Sequence, residues 1–218
     1  MIVQSAAEPH NAVAAPPHLQ RLVLTGFMGA GKTTVGRLLA DRLAWDFLDL
    51  DAYIESRTGL TVPSIFSTHG EAHFRQLESA ALASALGRSS LVLALGGGAP
   101  EVLTNRLLLE QTPQTATIFL DAPFATLFDR CMMQALNPAR SASAIAPTQA
   151  ASQLRPLLAD SAAAEARFLL RQPIYRRLAQ LTLDTAGLSP EQTVAVLLDR
   201  LAAPSPRPPR PSIHKPSA

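Results

Sequence analysis

Short apolar runs and longer amphipathic stretches alternate along most of this chain. The runs are Arg21–Thr25 (RLVLT), Asp46–Leu50 (DFLDL), Leu91–Leu95 (LVLAL), Thr115–Leu120 (TATIFL) and Leu181–Leu183 (LTL). Most lack strict polar alternation, as expected of strands buried on both faces. Helical patterns cover about 32–44, 71–86, 101–110, 123–134, 161–179 and 190–202. The last opens with Ser189-Pro190-Glu191-Gln192, which supplies a capping hydroxyl, a proline at the first helical position and a capping-box glutamine. Strand–helix alternation of this kind predicts an α/β domain, a parallel sheet between two layers of helices.

The pattern fails at both ends and once inside. Residues 1–20 are rich in Ala, Pro and His without periodicity, and 203–218 form a Pro-rich basic tail. Nine of the eighteen prolines lie in these two ends. Proline removes a donor and blocks helix, so both ends are expected to be disordered extensions of a single domain over 21–202. Inside, Asn137–Leu154 (NPARSASAIAPTQAASQL) is low-complexity and too long for an ordinary connection.

Composition narrows the class. The 218 residues are 47% hydrophobic and 17% charged, enough for one globular domain with a sizeable core. The one cysteine, Cys131, excludes an intrachain disulfide and a cysteine-built zinc site, and fits a reducing compartment. No apolar run is long enough to span a bilayer, and residues 1–20 lack the basic and apolar regions of a signal peptide. A cytoplasmic protein without membrane attachment is expected. The net charge of +2 arises from the tail, where Arg207, Arg210 and Lys215 have no acidic neighbours. The remaining domain is balanced, so no nucleic-acid face is expected. Lysine occurs only at Lys32 and Lys215, against seventeen arginines, which singles out Lys32.

Lys32 stands in Gly26-Phe27-Met28-Gly29-Ala30-Gly31-Lys32-Thr33, a match to G-x-x-x-x-G-K-[ST] between a strand and a helix. Glycines let successive backbone N–H groups turn around phosphate oxygens, and the helix points its positive end at the same anion. Lys32 then serves the β- and γ-phosphates and the Thr33 hydroxyl a magnesium ion. The second strand ends in Asp49-Leu50-Asp51, and a period of two puts both carboxylates on one face beside that loop. One can orient magnesium and the other can accept a proton from an attacking hydroxyl, unless one merely caps the next helix. Gly96-Gly97-Gly98 at the end of the third strand suggests close approach of backbone to a ligand. Spacing alone assigns no role to Arg75, Arg155 or Arg171. His69 and His73 lie four apart, but Gly70 stands where a zinc protease has Glu and no third ligand is visible, so no metal site is expected there.

Taken in order, these motifs resemble the shikimate kinase family from about Leu22 to Leu201. The resemblance rests on GFMGAGKT, FLDLD followed by IESRTG, IFSTHGEAHFRQLE, LALGGGAP, RPLLAD and RQPIYRRLA. It implies a three-layer αβα P-loop kinase fold with five parallel strands ordered 2-3-1-4-5 and a mobile lid at about 135–160. It implies phosphorylation of the 3-hydroxyl of shikimate by ATP, with Mg2+, in a monomer. The phosphate cradle would be Gly29, Ala30, Gly31, Lys32, Thr33 and Thr34. Thr33 and Asp49 would serve magnesium, and Asp51 would face the reacting hydroxyl as base. Arg75 and Arg171 would clamp the substrate carboxylate, with the Gly97 and Gly98 backbone at the ring hydroxyls. Arg155, on the lid, would reach the transferring phosphate. Val62, Phe66 and Phe74 would form the apolar wall, and the loop near Thr185–Pro190 would pass the adenine. The pair of arginines with the three glycines speaks against a gluconate-type kinase. The chain departs from the family at Asn137–Leu154. A basic residue shortly before the Arg-Pro usually packs on adenine in the family, and here the nearest upstream arginine is Arg140.

Overall fold

Five strands, β1 (Arg21–Thr25), β2 (Asp46–Asp49), β3 (Leu91–Ala94), β4 (Thr115–Asp121) and β5 (Leu181–Asp184), form one parallel sheet in the order β2-β3-β1-β4-β5. The structure is a computed structural model and describes residues 13–136 and 160–202. The helices are α1 (Lys32–Leu43), α2 (Leu50–Thr58), α3 (Val62–Leu86), α4 (Leu103–Gln111), α5 (Phe124–Leu136), α6 (Ser161–Leu178) and α7 (Pro190–Ala202), with a 3-10 turn at Ala99–Glu101. The expected strand order and layering are those observed.

β1 is central and all five of its residues are buried. Its side chains alternate between two apolar cores, one on each face of the sheet. Leu22 and Leu24 pack with Val35 and Leu39 of α1 and Val194 and Leu197 of α7. Val23 packs with Ile54 of α2, Phe74 and Leu82 of α3 and Leu109 of α4. The carboxyl ends of all strands therefore open on one edge, where open α/β sheets hold ligands. The opposite edge is fastened by Arg21, whose guanidinium donates to the Arg88 carbonyl, to Thr115 Oγ1 at 2.9 Å and to Pro113 O at 2.7 Å.

Two local features differ from the sequence reading. The first is α2, where only Leu50 and Ile54 are buried, too few to mark an apolar face. The second is the first half of α3, from Val62 to Gly70. Its start is capped by Thr61, which accepts from Ser64 N at 3.3 Å, and by Glu55, which accepts from Val62 N at 2.8 Å. Gly70, at φ 80, breaks this helix, and its second half begins at Glu71, where the sequence pattern starts. The capping box at α7 forms as read: Gln192 N donates to Ser189 Oγ and Ser189 N to Gln192 Oε1.

Residues 13–20, which the sequence assigns to an N-terminal extension, lie against the domain. Val13 N donates to Arg42 O at 2.8 Å, and Ala15 and Leu19 pack on the first core. Residues 1–12, the stretch Asn137–Leu154 and the 203–218 tail lie outside the described residues. Among the described residues no helix is long and apolar enough to cross a membrane.

Candidate active site

β1 runs into a loop that closes on α1 through Gly31, the helix N-cap, in a left-handed conformation. Gly29 has φ 74, and a Cβ there would lie 2.3 Å from the Leu127 carbonyl oxygen, so only glycine lets the loop sit this close to α5. Among the described residues no side chain caps α1, and no acid occupies its first turn, which leaves its first N–H groups to an anion. Lys32 Nζ folds back on the loop and donates to Gly26 O at 2.9 Å and Phe27 O at 3.0 Å. Burial lowers its pKa, while Asp49 and Asp51 act to raise it. Ala30, Gly31 and Thr34 line one side of a cavity of about 440 Å³, and Thr185, Leu188 and Pro190 line the other.

Arg130 closes this cavity, donating to Thr185 O at 2.6 Å and Thr185 Oγ1 at 3.0 Å. The sequence reading looked for a basic residue nearer the Arg-Pro and did not consider Arg130. The signal was present: Thr126, Asp129, Arg130 and Met133 of α5 repeat at helical spacing and all face the cavity.

β2 stops at Asp49, so Asp51 lies in the first turn of α2 and not on a strand face beside Asp49. The helix begins early because Asp49 caps it, accepting from Ala52 N at 3.3 Å through Oδ1. Its Oδ2 accepts from Thr33 Oγ1 at 2.7 Å. The capping role thus belongs to Asp49, and the two carboxylates converge on the loop by a strand end and a helix start. Asp51 Oδ1 and Glu78 Oε1 are buried, and neither has a hydrogen-bond partner among the described residues. A Cβ on Gly96 would lie 2.7 Å from the first and 3.0 Å from the second, so both stand on the same glycine. Burial, reinforced by Asp49 and Glu78, pushes the Asp51 pKa up to about 7. Two buried acceptors without donors suit a ligand rich in hydroxyls.

The next two glycines face cations. Gly97 lies beneath Arg171, and its carbonyl accepts from the Tyr175 hydroxyl. A Cβ on Gly98 would lie 2.3 Å from Arg75 Nη2, so this residue too must be glycine for the guanidinium to lie where it does. Arg75 is held by Glu78 at 2.8 Å and Glu71 at 3.0 Å. Arg171 pairs with Glu101 at 2.9 Å, and Arg75 Nη2 is 3.8 Å from the same oxygen. The turn carrying Glu101 is fixed by α4: Asn105 Nδ2 donates to Ala99 O at 2.9 Å and Arg106 Nη1 to Pro100 O at 2.7 Å. Phe74 is buried and Phe66 packs on it with ring centroids 4.7 Å apart, while Val62 adjoins them in the second core.

The geometry thus brings together Lys32, Thr33, Asp49, Asp51, Arg75, Arg171, Gly97 and Gly98. Sequence reasoning gave no separate role to Glu78, Glu101, Tyr175 or Arg130. Arg155 lies outside the described residues. The His69 and His73 rings are 5.0 Å apart, and no cluster of three or more metal-ligating side chains occurs among the described residues.

A cradle for phosphates, a pair of carboxylates and a separate cationic floor, all at the carboxyl edge of one parallel sheet, define a P-loop phosphotransferase acting on a small anionic acceptor. A sequence profile described as shikimate kinase matches residues 28–145. The shikimate kinase of Bordetella pertussis is 36% identical over 205 residues, covering 92% of this chain and 89% of the relative. That of Thermobifida fusca is 40% identical, covering 83% and 94%. The solved structure of the Acinetobacter baumannii shikimate kinase in complex with shikimate superposes with a TM-score of 0.65 at 34% identity, over 84% of this chain and 93% of that one. The Bacteroides thetaiotaomicron enzyme gives 0.66 at 31% identity. The chain belongs to the shikimate kinase family.

Proposed function

We infer that this protein transfers the γ-phosphoryl group of ATP to the 3-hydroxyl of shikimate, a step of aromatic amino acid biosynthesis. The observation that carries the reading is the run Gly96–Gly98. Its three residues face Arg171, Arg75 and two carboxylate oxygens that have no hydrogen-bond partner among the described residues, at the edge where the phosphate loop opens. Shikimate has one carboxylate and three hydroxyls, and this surface offers cations for the first and acceptors for the others.

Arg75 and Arg171 bind the carboxylate, for which a planar guanidinium is better matched than an ammonium. The Gly97 and Gly98 backbone and Glu78 border the ring hydroxyls, and Val62, Phe66 and Phe74 form the apolar wall. Asp51 accepts the proton of the reacting hydroxyl, and its raised pKa makes it a stronger base than an ordinary aspartate. Lys32 and the amides of Gly29, Ala30, Gly31, Thr33 and Thr34 hold the phosphates. Lys32 exchanges its loop carbonyls for the charge that builds on the transferring group. Arg130 borders the adenine, and the family resemblance gives Arg155 a further charge at the transferring phosphate.

Thr33 and Asp49 hold Mg2+. The Thr33 hydroxyl and Asp49 carboxylate form a hard-oxygen pair already in contact at 2.7 Å, the donor chemistry this ion takes alongside phosphates and water. Bound there, the ion would neutralise phosphate charge. The enzyme acts as a cytoplasmic monomer on small molecules and binds neither nucleic acid nor membrane. A coupled assay of ADP release, run with shikimate, with gluconate and with neither, tests the reading. Shikimate-dependent release supports it, and release that is equal in all three overturns it.

A further inference from the structure

We propose that Glu101 is an internal carboxylate that occupies the substrate-carboxylate position between Arg75 and Arg171 and competes with shikimate for it. The inference rests on the assignment of those two arginines to the substrate carboxylate.

One oxygen, Glu101 Oε2, serves both guanidinium groups, at 2.9 Å from Arg171 Nη2 and 3.8 Å from Arg75 Nη2. This bridging of two converging cations is the arrangement expected of a bound carboxylate. The two arginines differ in what else holds them. Arg75 has Glu78 and Glu71 besides. Arg171 has, among the described residues, no carboxylate partner but Glu101, and its buried Nε has no acceptor. Arg171 is therefore the arm whose charge is balanced by Glu101.

Glu101 can leave without disturbing the fold. Its side chain is 39% exposed, against 18% and 17% for the two arginines, so a released carboxylate gains water. Its backbone stays fixed, because Arg106 Nη1 donates to the carbonyls of both Pro100 and Glu101 and Glu101 N donates to Gly98 O. The exchange replaces one carboxylate by another on the same two cations. Its cost appears as a lowered fraction of open sites, which raises the apparent dissociation constant in proportion. In return, the guanidinium groups stay aimed at one point instead of repelling each other. Glu101 is thus a positioning residue with a selective effect: a ligand that places no group between the two arginines has no contest with it.

Glu101→Gln removes the charge at almost constant shape, and Glu101→Ala removes the group. Shikimate binding is measured by calorimetry and steady-state kinetics, beside the decarboxylated analogue that keeps the three ring hydroxyls and carries hydrogen in place of the carboxylate, and beside Arg171→Ala. Both Glu101 variants are expected to bind shikimate about fivefold to tenfold more tightly, the factor set by a site closed roughly 80–90% of the time. The change should fall on the KM for shikimate, with that for ATP unmoved and the decarboxylated analogue's affinity unaltered. Arg171→Ala should weaken shikimate. Unchanged or weaker shikimate binding in the Glu101 variants, with Arg171→Ala still weakening it, overturns the competition alone. Equal tightening of shikimate and the decarboxylated analogue also overturns it, since that would reflect a merely looser turn. Unimpaired binding in Arg171→Ala instead removes the assignment of the carboxylate site, and the inference falls with it.

Discussion

The Thr33 hydroxyl donates to Asp49 across 2.7 Å, joining the first turn of α1 to the end of β2. The same carboxylate caps α2 through its other oxygen. Asp49 therefore carries a structural and a chemical duty that can be separated. Asp49→Asn keeps an acceptor for the Ala52 amide and should keep stability within about 0.5 kcal/mol, since Asn caps as well as Asp. It should raise the Mg2+ concentration needed for half-maximal turnover. Asp49→Ala should show both that rise and a loss of about 1 kcal/mol in urea unfolding. Equal Mg2+ dependence in parent and variants would remove Asp49 from the metal's ligands.

Lys32→Met removes the buried ammonium from the phosphate loop. The barrier to transfer should rise by roughly 3 kcal/mol or more, a loss of at least two orders of magnitude in kcat. Shikimate affinity should survive, because its contacts lie on Gly96–Gly98 and the arginines. Near-parental turnover in steady-state assays would refute the role of the loop.

Arg75 and Arg171 should separate when each is replaced by alanine. Both changes should weaken shikimate by roughly 2–4 kcal/mol, the loss of a charge-assisted pair. Only Arg75→Ala should also destabilise the fold, because Glu78, whose side chain is 1% exposed, would keep a buried charge without its partner. About 3 kcal/mol is the scale of such a loss. Calorimetry and chemical denaturation of the two variants check both halves.

Asp51 couples activity to stability with a definite sign. Its folded pKa, about 7, exceeds the ordinary 3.8, so the folded chain holds this proton more tightly than the unfolded one. The contribution to stability is full below pH 4 and is lost as pH rises to 7. Across that window the loss is on the order of 4 kcal/mol at most. Asp51→Asn, neutral at every pH, should unfold at a higher temperature than the parent at pH 8 and lose this pH dependence, while turnover collapses. In the parent, kcat/KM should climb with pH through the neutral range. A variant no more stable than the parent at pH 8 would mean that Asp51 is ionised at no cost.

Gly98→Ala tests close approach. The new Cβ would meet the far end of Arg75, a flexible group, so the guanidinium should shift and the fold persist. Melting temperature should change little and shikimate KM should rise. A variant that binds shikimate normally would show that Arg75 need not lie against Gly98.

The sheet was legible because β1 and β3 are continuous apolar runs, and continuous runs mean burial on both faces. The phosphate loop was legible because its chemistry is local: consecutive residues make one site. α2 was not, since it buries only Leu50 and Ile54, with Tyr53 half-buried beside them. The strand period puts Asp51 on the right edge for an incomplete reason, because it runs two residues past Asp49, where β2 ends and α2 is capped. Arg75 and Arg171 gained roles only from family resemblance, as their convergence depends on Gly98 and on the turn that α4 holds. Glu101 and Arg130 bind partners 70 and 55 residues away, which the chain reports at most as a helical stripe on α5. Glu78 pairs with Arg75 three residues before it, but that spacing is common to exposed helix faces and does not tell that the pair is buried against Gly96.

Arg21 ties three chain segments together at the end of the sheet farthest from the phosphate loop. The molecule thereby divides its labour by polarity of strand: one rim is fastened, the other reacts. Random substitution should accordingly sort into two populations along the strand axis. Changes around Arg21 would lower the temperature at which the enzyme survives while leaving each surviving molecule as fast as before. Changes at the opposite rim would move speed and stability together, because Asp49, Asp51 and Arg75 each bear on both. A lineage could therefore tune heat tolerance at the fastened rim without touching speed, whereas each change at the reacting rim shifts both.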